Sequence, residues 1–536
     1  MLPSKNCHMK KLFTITITAL TLLAAVSCKK ALEIEVFDFK DPESFYKTDK
    51  DLLQGINGVY KNLMTWDMWI SPAWHSVLGE DDDLLLENWL AGGYTGNQRG
   101  EWYIQRPWKG YYYAIQRTNL VLKYAAQVTG DAAMIDRIKA EALFLRGFCY
   151  FEIVRRYGAA PIRTEAYDPL QSKNIARSPA VDVYKQAEAD LKAAAAVLPE
   201  NYTSGKYVTA DRGRPTKAAA LGLLAKVYMH MAGDELKQTN YYAEAITAAK
   251  AVRDMAKASG YPKLEMNYMK NFNEAEQDLS DEILFAIPAT HSPNQGSELP
   301  GYFSPQGRYS GGGSGGYVSM RIDLYNKFEA NDTRVAFGTA IWDSWKNNAN
   351  EDYYYVSRLP AGAVFKTGGT WGGEYGGGAG YGQDTYTFGG KDIFASPRLY
   401  SKKYTDPNAQ AKDENGNNPI IIRYADVLLL LAEAENEVNG PTGLAYDAAD
   451  EVRVRANVLP WTRNLSKETF RQQIRDERRK ELYGEFQRRW DLIRWGIWIQ
   501  TMNAAGRERL EFQKLYPIAQ EEIAGNKEIT VNNPGY

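Results

Sequence analysis

Disulfide and metal chemistry have little to work with in this chain. Its 536 residues include three cysteines, Cys7, Cys28 and Cys149, and four histidines, His8, His75, His230 and His291. No two cysteines read as part of a disulfide framework, and no Cys/His spacing matches a zinc site. Charge of one sign is missing too. The 64 Lys and Arg nearly balance the 66 Asp and Glu, which argues against nucleic acid as the main partner. Catalytic signatures are equally sparse. There is no nucleophile elbow and no phosphate cradle with a strand, a glycine loop and Lys-Ser/Thr in order. No pair of carboxylates is marked for glycoside hydrolysis among the acids, and His75 and His291 have no Ser or Asp partner motif. Neither a catalytic residue, a metal nor a cofactor is expected.

Long apolar runs are limited to one, Leu12 to Val26, preceded by Lys10 and Lys11. At 15 residues it is short for a membrane span and has the charged front of a signal peptide. It ends in Ala24-Ala25-Val26-Ser27-Cys28, small residues before a cysteine, which reads as a bacterial lipobox cut before Cys28. Ala25 stands where Leu is more usual. Met9 is an alternative start. The competing reading is an ordinary secretory peptide with a chance cysteine. Several acyl chains on Cys28 would give stable membrane anchoring. Removing residues 1–27 takes three lysines and no acid, for a net charge of −5.

What the chain has in quantity is aromatic: 13 Trp, 36 Tyr and 18 Phe, with 45 Gly. Its most apolar helix runs from Arg137 to Ile162, RIKAEALFLRGFCYFEIVRRYGAAPI. Apolar residues surround it, so other helices must bury it. Gly147 removes a side chain where a neighbour can approach, Cys149 is a packed thiol, Gly158 tolerates a left-handed cap and Pro161 stops the helix. Helices are also expected over Leu52–Leu63, Trp108–Val128 and 181–198. Ser178-Pro179 is expected to cap the last of these. A hairpin follows: GRPTKAAALGLLAKVYMHMAG with Pro215 in its first turn, then NYYAEAITAAKAVRDMAKASG. Leu221, Leu224 and Tyr228, with Tyr242, Ala245 and Ala249, look like a degenerate tetratricopeptide pair.

Residues 261–420 change character. DEILFAIPAT (281–290) reads as a buried strand, and glycine-rich runs follow at 311–316 and 368–382. Helices return with RYADVLLLLAEAENEVNG, AYDAADEVRVRANV and FRQQIRDERRKELYGEFQRRWDLIRWG. Glu477 and Glu481 lie one turn apart with arginines near, a salt-bridged face that locks helices together. Asp81, Asp82 and Asp83 after Glu80 read as solvated loop acids, with calcium as the sharper alternative. Pro517, Asn533, Pro534 and Gly535 dictate an extended, turning end.

Several of these stretches, in order, resemble the SusD/RagB family. They are KAEALFLRGFCYFEIVRRYGAAPI; Tyr112, Ile115 and Asn119; Val452 to Ala456; Ile474, Glu477, Arg478, Glu481, Leu482, Phe486, Arg488, Asp491, Leu492, Arg494, Trp495 and Gly496; and Pro517-Ile518, Glu522-Ile523 and Asn533 to Tyr536. The resemblance implies a mainly α fold: a tetratricopeptide-like helical hairpin scaffold, an irregular loop-rich ligand-binding half and few short strands. The expected organisation is a signal peptide (1–27), an N-terminal helical region (28–260) and a C-terminal region (261–536) with a loop-rich middle (261–420) and a helical end (421–536). The implied function is a non-catalytic outer-membrane lipoprotein facing the cell exterior. It would capture glycans and pass them to a TonB-dependent outer-membrane transporter. A peptide-capturing family member and a secreted carbohydrate-active enzyme are the alternatives.

Sugars offer apolar faces and hydroxyl edges, so their sites need flat aromatic platforms. Two loop regions supply them, Trp66 to Trp102 and Tyr302 through Trp342, Trp345 and Trp371 to Tyr375. At least two of Trp66, Trp69, Trp74, Trp89, Trp342, Trp345 and Trp371 are expected to line one shared ligand site. Trp108, Trp490 and Trp495 belong to helix packing.

Overall fold

The structure is a computed structural model that describes residues 41–65, 68–70, 81–86, 102–167, 174–202, 211–303, 318–338, 340–341, 354–355, 364–369, 383–388, 391–393, 403–404, 406, 408–409, 411 and 413–536. Helix dominates. Helix α1 (Asp49–Leu63) starts at a Thr48 capping box with Asp51 and buries Leu52, Ile56, Val59 and Leu63. Strand β1 (Leu84–Leu86) precedes α2 (Trp102–Tyr124). Helix α3 (Ala132–Tyr157) is the expected central helix, begun earlier by an Asp131 cap and ended at Gly158 with φ 68°.

Helix α3 is packed on every side. Phe144, Leu145, Phe148, Cys149, Phe151 and Ile153 are fully buried. Helix α4 (Ala180–Val197) lies against it where Gly147 allows: a Cβ there would stand 3.0 Å from Leu191 Cγ and 3.1 Å from the Ala187 carbonyl oxygen. Periodicity did not reveal the polar half of α3. Arg146 clamps Asp190 of α4 through two hydrogen bonds of 2.8 and 2.7 Å, and Glu152 pairs with Arg155 and Arg156, all out of water. Burial and the Glu152 carboxylate push the Cys149 thiol well above its ordinary range, so it stays a packed thiol.

Helices α5 (Lys217–Ala232) and α6 (Tyr241–Ser259) form the expected hairpin, and α6 ends at Gly260 with φ 75°. Leu224, Tyr228, Ala245 and Ala249 are buried in it. Two capping details differ from expectation. Pro215 lies ahead of α5, which Thr216 caps by accepting from the Ala219 amide at 3.2 Å. Ser178 makes no cap for α4; its backbone pairs instead with Ala160, just past the end of α3.

The strand expected near 281–290 is β2 (Ile283–Ala286). Strand β3 (Val318–Met320) pairs with β1, and β4 (Val364–Gly369), β5 (Gln383–Phe388) and β6 (Lys391–Ile393) make a small antiparallel sheet. Strand β7 (Ile420–Arg423) pairs antiparallel with β2 and leads into α7 (Tyr424–Asn439) and α8 (Gly443–Arg455). Next come α9 (Lys467–Glu481) and α10 (Arg488–Arg494). Helix α7 packs on α6, so the helices after residue 420 share one hydrophobic core with those before 260. A second core lies under the loop-rich half, built from Leu84, Tyr268, Phe272, Phe303, Val318 and Tyr404 among others.

The C-terminal segment is not wholly extended: residues Gln520–Gly525 make one short helix. Beyond it, Asn533 Nδ2 donates to the carbonyls of Tyr157 (2.9 Å) and Tyr516 (2.7 Å), and Tyr516 N donates to the Arg156 carbonyl. The chain's end therefore satisfies carbonyls that the last turn of α3 leaves open.

Candidate ligand-binding site

The two aromatic-rich stretches meet through backbone pairing. Strand β1 lies inside the first stretch and β3 inside the second, and they pair antiparallel with Leu84 opposite Met320 and Leu86 opposite Val318. The Glu298 amide adds a bond to the Ile70 carbonyl at 2.7 Å. Leu84, Tyr302, Phe303, Val318 and Met320 turn into the second core beneath. The described parts of both stretches thus share one core. Trp69 turns instead into the first core, against α3: it is 4% exposed, and its ring lies 6.3 Å from that of Phe148. A stacking platform needs an open face, and Trp69 has none here. Trp66, Trp74, Trp89, Trp342, Trp345 and Trp371 lie outside the described residues, as does Cys28. Trp108 and Trp490 are buried, and Trp495 is half-buried with its indole N–H donating to Glu433 Oε1 at 2.6 Å.

The three aspartates ahead of β1 are not solvated. Asp81, Asp82 and Asp83 are buried and face arginines of the C-terminal motif. Arg488 holds Asp82 with both ends of its guanidinium, Nε to Oδ1 at 2.7 Å and Nη2 to Oδ2 at 3.1 Å. Arg479 Nε reaches Asp83 Oδ1 at 2.9 Å. Arg507 donates to the main-chain carbonyls of Asp81 and Leu84, each at 2.5 Å. These guanidiniums occupy carboxylate oxygens that a calcium ion would need.

The electrostatics of the three acids differ. Burial would raise Asp82, but Arg488 and Arg479 outweigh it and hold the carboxyl below its usual range. Burial and the neighbouring charge of Asp82 raise Asp83 against the same arginines. Asp81 has no guanidinium on its carboxylate among the described contacts; burial, then Asp83 and Asp82, push it up to about 8. At neutral pH it is held as the acid.

The glutamates of the C-terminal motif sit in a second ionic cluster. Glu481 takes hydrogen bonds from Arg334 (2.8 Å), Arg423 and Arg455, and Glu477 faces Arg334 and Arg453 at 2.7 Å each. Arg423 also reaches Glu282 and Glu485, 2.7 Å each. All of these groups are buried. The locking role expected for this face is what the contacts show. Its partners, however, come mostly from β7, α8 and the short helix Thr333–Gly338 and not from neighbouring turns of α9, where Lys480 alone pairs with Glu477 at 3.1 Å. Burial opposes ionisation of Glu477, yet Arg334, Lys480 and Arg453 pull it down to about 2. Burial lowers Lys403 to about 8, with Glu485 at 2.8 Å resisting. Every carboxylate of this cluster is therefore already engaged and closed to solvent, which suits a rigid support and not acid–base chemistry.

Comparison with known proteins agrees with this architecture. The SusD family model matches residues 281–536, and a second, described as starch-binding associating with outer membrane, matches residues 81–229. SusD-like protein P2 of Formosa agariphila is 27% identical over 98% of this chain and 100% of its own length. SusD-like protein P25 of the same organism is 25% identical over 92% of this chain and 91% of its own. A SusD homologue from Bacteroides thetaiotaomicron superposes with a TM-score of 0.70 at 22% identity, covering 92% of this chain and 98% of that one. Surface glycan-binding protein A from the same species, solved with laminarihexaose, gives a TM-score of 0.67 at 20% identity, covering 91% of this chain and all of that one. With two family models side by side over most of its length and these relatives spanning nearly all of it, the chain belongs to the SusD/RagB family.

Proposed function

We propose that this protein is a non-catalytic, lipid-anchored surface protein that captures glycans and hands them to a TonB-dependent outer-membrane transporter. The observation that carries the reading is the β1–β3 pairing, which joins two tryptophan-rich stretches in a member of this family. A glycan-binding surface protein of the same fold, solved with laminarihexaose, supports the sugar ligand, and the description of the second family model supports outer-membrane association. Among the described residues no helix is long and apolar enough to cross a membrane. In this reading Cys28 is the anchor and a separate transporter carries the cargo across. Incubation of the purified protein with labelled oligosaccharides, laminarihexaose among them, tests the ligand. Binding without cleavage is the expected result; turnover, or capture of peptides alone, rejects the reading. Cys28→Ala is expected to leave the protein unlipidated. Purification from membranes in mild detergent is expected to recover a large β-barrel partner.

A further inference from the structure

We infer that Glu274, His291 and Asp406 form a binding site for one divalent transition-metal ion of zinc type. The three side chains come from separate places: Glu274 from the turn before β2, His291 from the loop after it, and Asp406 from the segment ahead of β7. One ligand atom from each lies within 4.8 Å of the other two. His291 Nε2 stands 2.8 Å from Asp406 Oδ2 and 3.9 Å from Glu274 Oε1. A tetrahedral zinc with bonds of ~2.0–2.1 Å sets its ligand atoms ~3.3 Å apart, between those two separations. Shifts of about half an ångström bring both His291 separations to that value, and rotation of the Glu274 side chain closes the set.

The surroundings are arranged around this point. Asp406 is fully buried and fixed: Oδ1 accepts from the Asn408 amide at 2.9 Å and Oδ2 from the Gly416 amide at 2.8 Å. Such outer contacts orient a metal-binding carboxylate. Gly416 also makes room for Glu274: a Cβ at that position would stand 2.7 Å from Glu274 Cγ and 2.9 Å from Oε1. Asp406 and Gly416 thus bring carboxylate, amide and the second acid to one spot. His291 is 37% exposed and Glu274 22%, so a fourth position opens to water, as in three-ligand zinc sites. The imidazole selects the ion class, since calcium takes oxygen ligands and zinc accepts nitrogen. In sequence, His291 precedes and Asp406 follows the glycine-rich runs. A metal ion would join the two segments that flank them.

Titration of the purified, metal-free protein with Zn²⁺ alone tests this, independently of any glycan. One ion per chain is expected, with a rise in melting temperature. Affinity is expected to fall at least about tenfold in His291→Ala and in Glu274→Gln. Both residues are partly exposed, so the metal-free fold of each variant, read by circular dichroism, is expected to match that of the parent. X-ray absorption at the zinc edge is expected to report one nitrogen and oxygens in the first shell. Absence of stoichiometric zinc, uptake unchanged in both variants, or uptake of Ca²⁺ in place of Zn²⁺ overturns the site and leaves His291–Asp406 a hydrogen-bonded pair.

Discussion

Arg488 and Asp82 lie 406 positions apart and are joined by two largely buried hydrogen bonds, Nε to Oδ1 at 2.7 Å and Nη2 to Oδ2 at 3.1 Å. This contact couples the C-terminal motif to the stretch that carries the candidate platform. Removing one partner of a buried pair leaves the other charge uncompensated, at a cost of about 3–5 kcal/mol. Arg488→Met is therefore expected to lower stability by that order in chemical denaturation, and to lose amide protection first at Leu84–Leu86. The double variant Arg488→Met, Asp82→Leu is expected to regain much of the loss, because both charges are then gone. Equal protection of β1 in Arg488→Met and the parent would refute the coupling.

Asp81 predicts a pH effect of definite sign. Burial and two like charges hold it at about 8, against an ordinary 3.8, so between those values the folded chain keeps a proton that the unfolded chain has released. Stability then falls as pH rises through that window. Asp81→Asn removes the effect while its side-chain oxygen still accepts from the Asp83 amide, as Asp81 Oδ1 does at 2.8 Å. The variant is expected to match the parent near pH 4 and to exceed it by roughly 1–3 kcal/mol above pH 8. Melting curves across that range check it; a variant less stable at high pH would mean that the Asp81 charge is compensated.

Glu477 predicts the opposite slope. Its carboxyl is held at about 2, below an ordinary 4.5, despite burial, because Arg334, Lys480 and Arg453 outweigh it. The contribution is present above about pH 4.5 and is lost as pH falls towards 2. Asp491, also at about 2 against burial through Arg478 and Arg494, behaves alike. Urea midpoints for Glu477→Gln are expected to start lower at pH 7 and to fall less steeply between pH 5 and 2.5. Parallel slopes in parent and variant would show that Glu477 titrates as an ordinary carboxylate.

How much of this was legible in the sequence depends on how local the cause is. Helix α3 announced itself because apolar periodicity, Gly158 and Pro161 all lie within one stretch. The helical hairpin of α5 and α6 was readable for the same reason, since its small residues recur at fixed spacing. The aspartates at 81–83 were misread as solvated because Arg479 and Arg488, which bury them, lie about 400 positions on. The sources of the Glu481 partners, Arg334, Arg423 and Arg455, were hidden likewise. Strands of three residues such as β1 and β3 carry too little pattern to be paired by eye. Trp69 was grouped with its tryptophan neighbours by composition alone, and composition does not say which face of a loop turns inward.

Gly147 gives a packing test. A methyl group there would press on Leu191 Cγ at 3.0 Å and on the Ala187 carbonyl oxygen at 3.1 Å, where α3 and α4 touch. Overpacking of this kind costs about 1–3 kcal/mol. Gly147→Ala is expected to lose stability on that scale, despite the better helix propensity of alanine, and Gly147→Leu more. A stabilised alanine variant would show that the two helices have room to separate.

The last prediction separates platform from core among the tryptophans. Trp69 is buried against Phe148, so Trp69→Ala is expected to cost about 3–5 kcal/mol of stability. Its ligand affinity at low temperature is expected to change no more than the folded fraction does. The remaining candidates belong in sequence to the two stretches that β1 and β3 join, and stacking of a sugar on one ring is worth very roughly 1 kcal/mol beyond burial. Alanine at one of Trp66, Trp74, Trp89, Trp342, Trp345 or Trp371, if it lines the site, is expected to weaken binding about several-fold to tenfold, with the melting temperature held. Two such changes on either side of the β1–β3 pairing, one in each aromatic stretch, are expected to nearly abolish binding, because the two rings then act on one ligand. Calorimetric titration with the oligosaccharide that the native protein binds, alongside thermal melts, reads both quantities. If every variant loses stability and none loses affinity selectively, these rings are core like Trp69, and the ligand is held elsewhere on the loop-rich half.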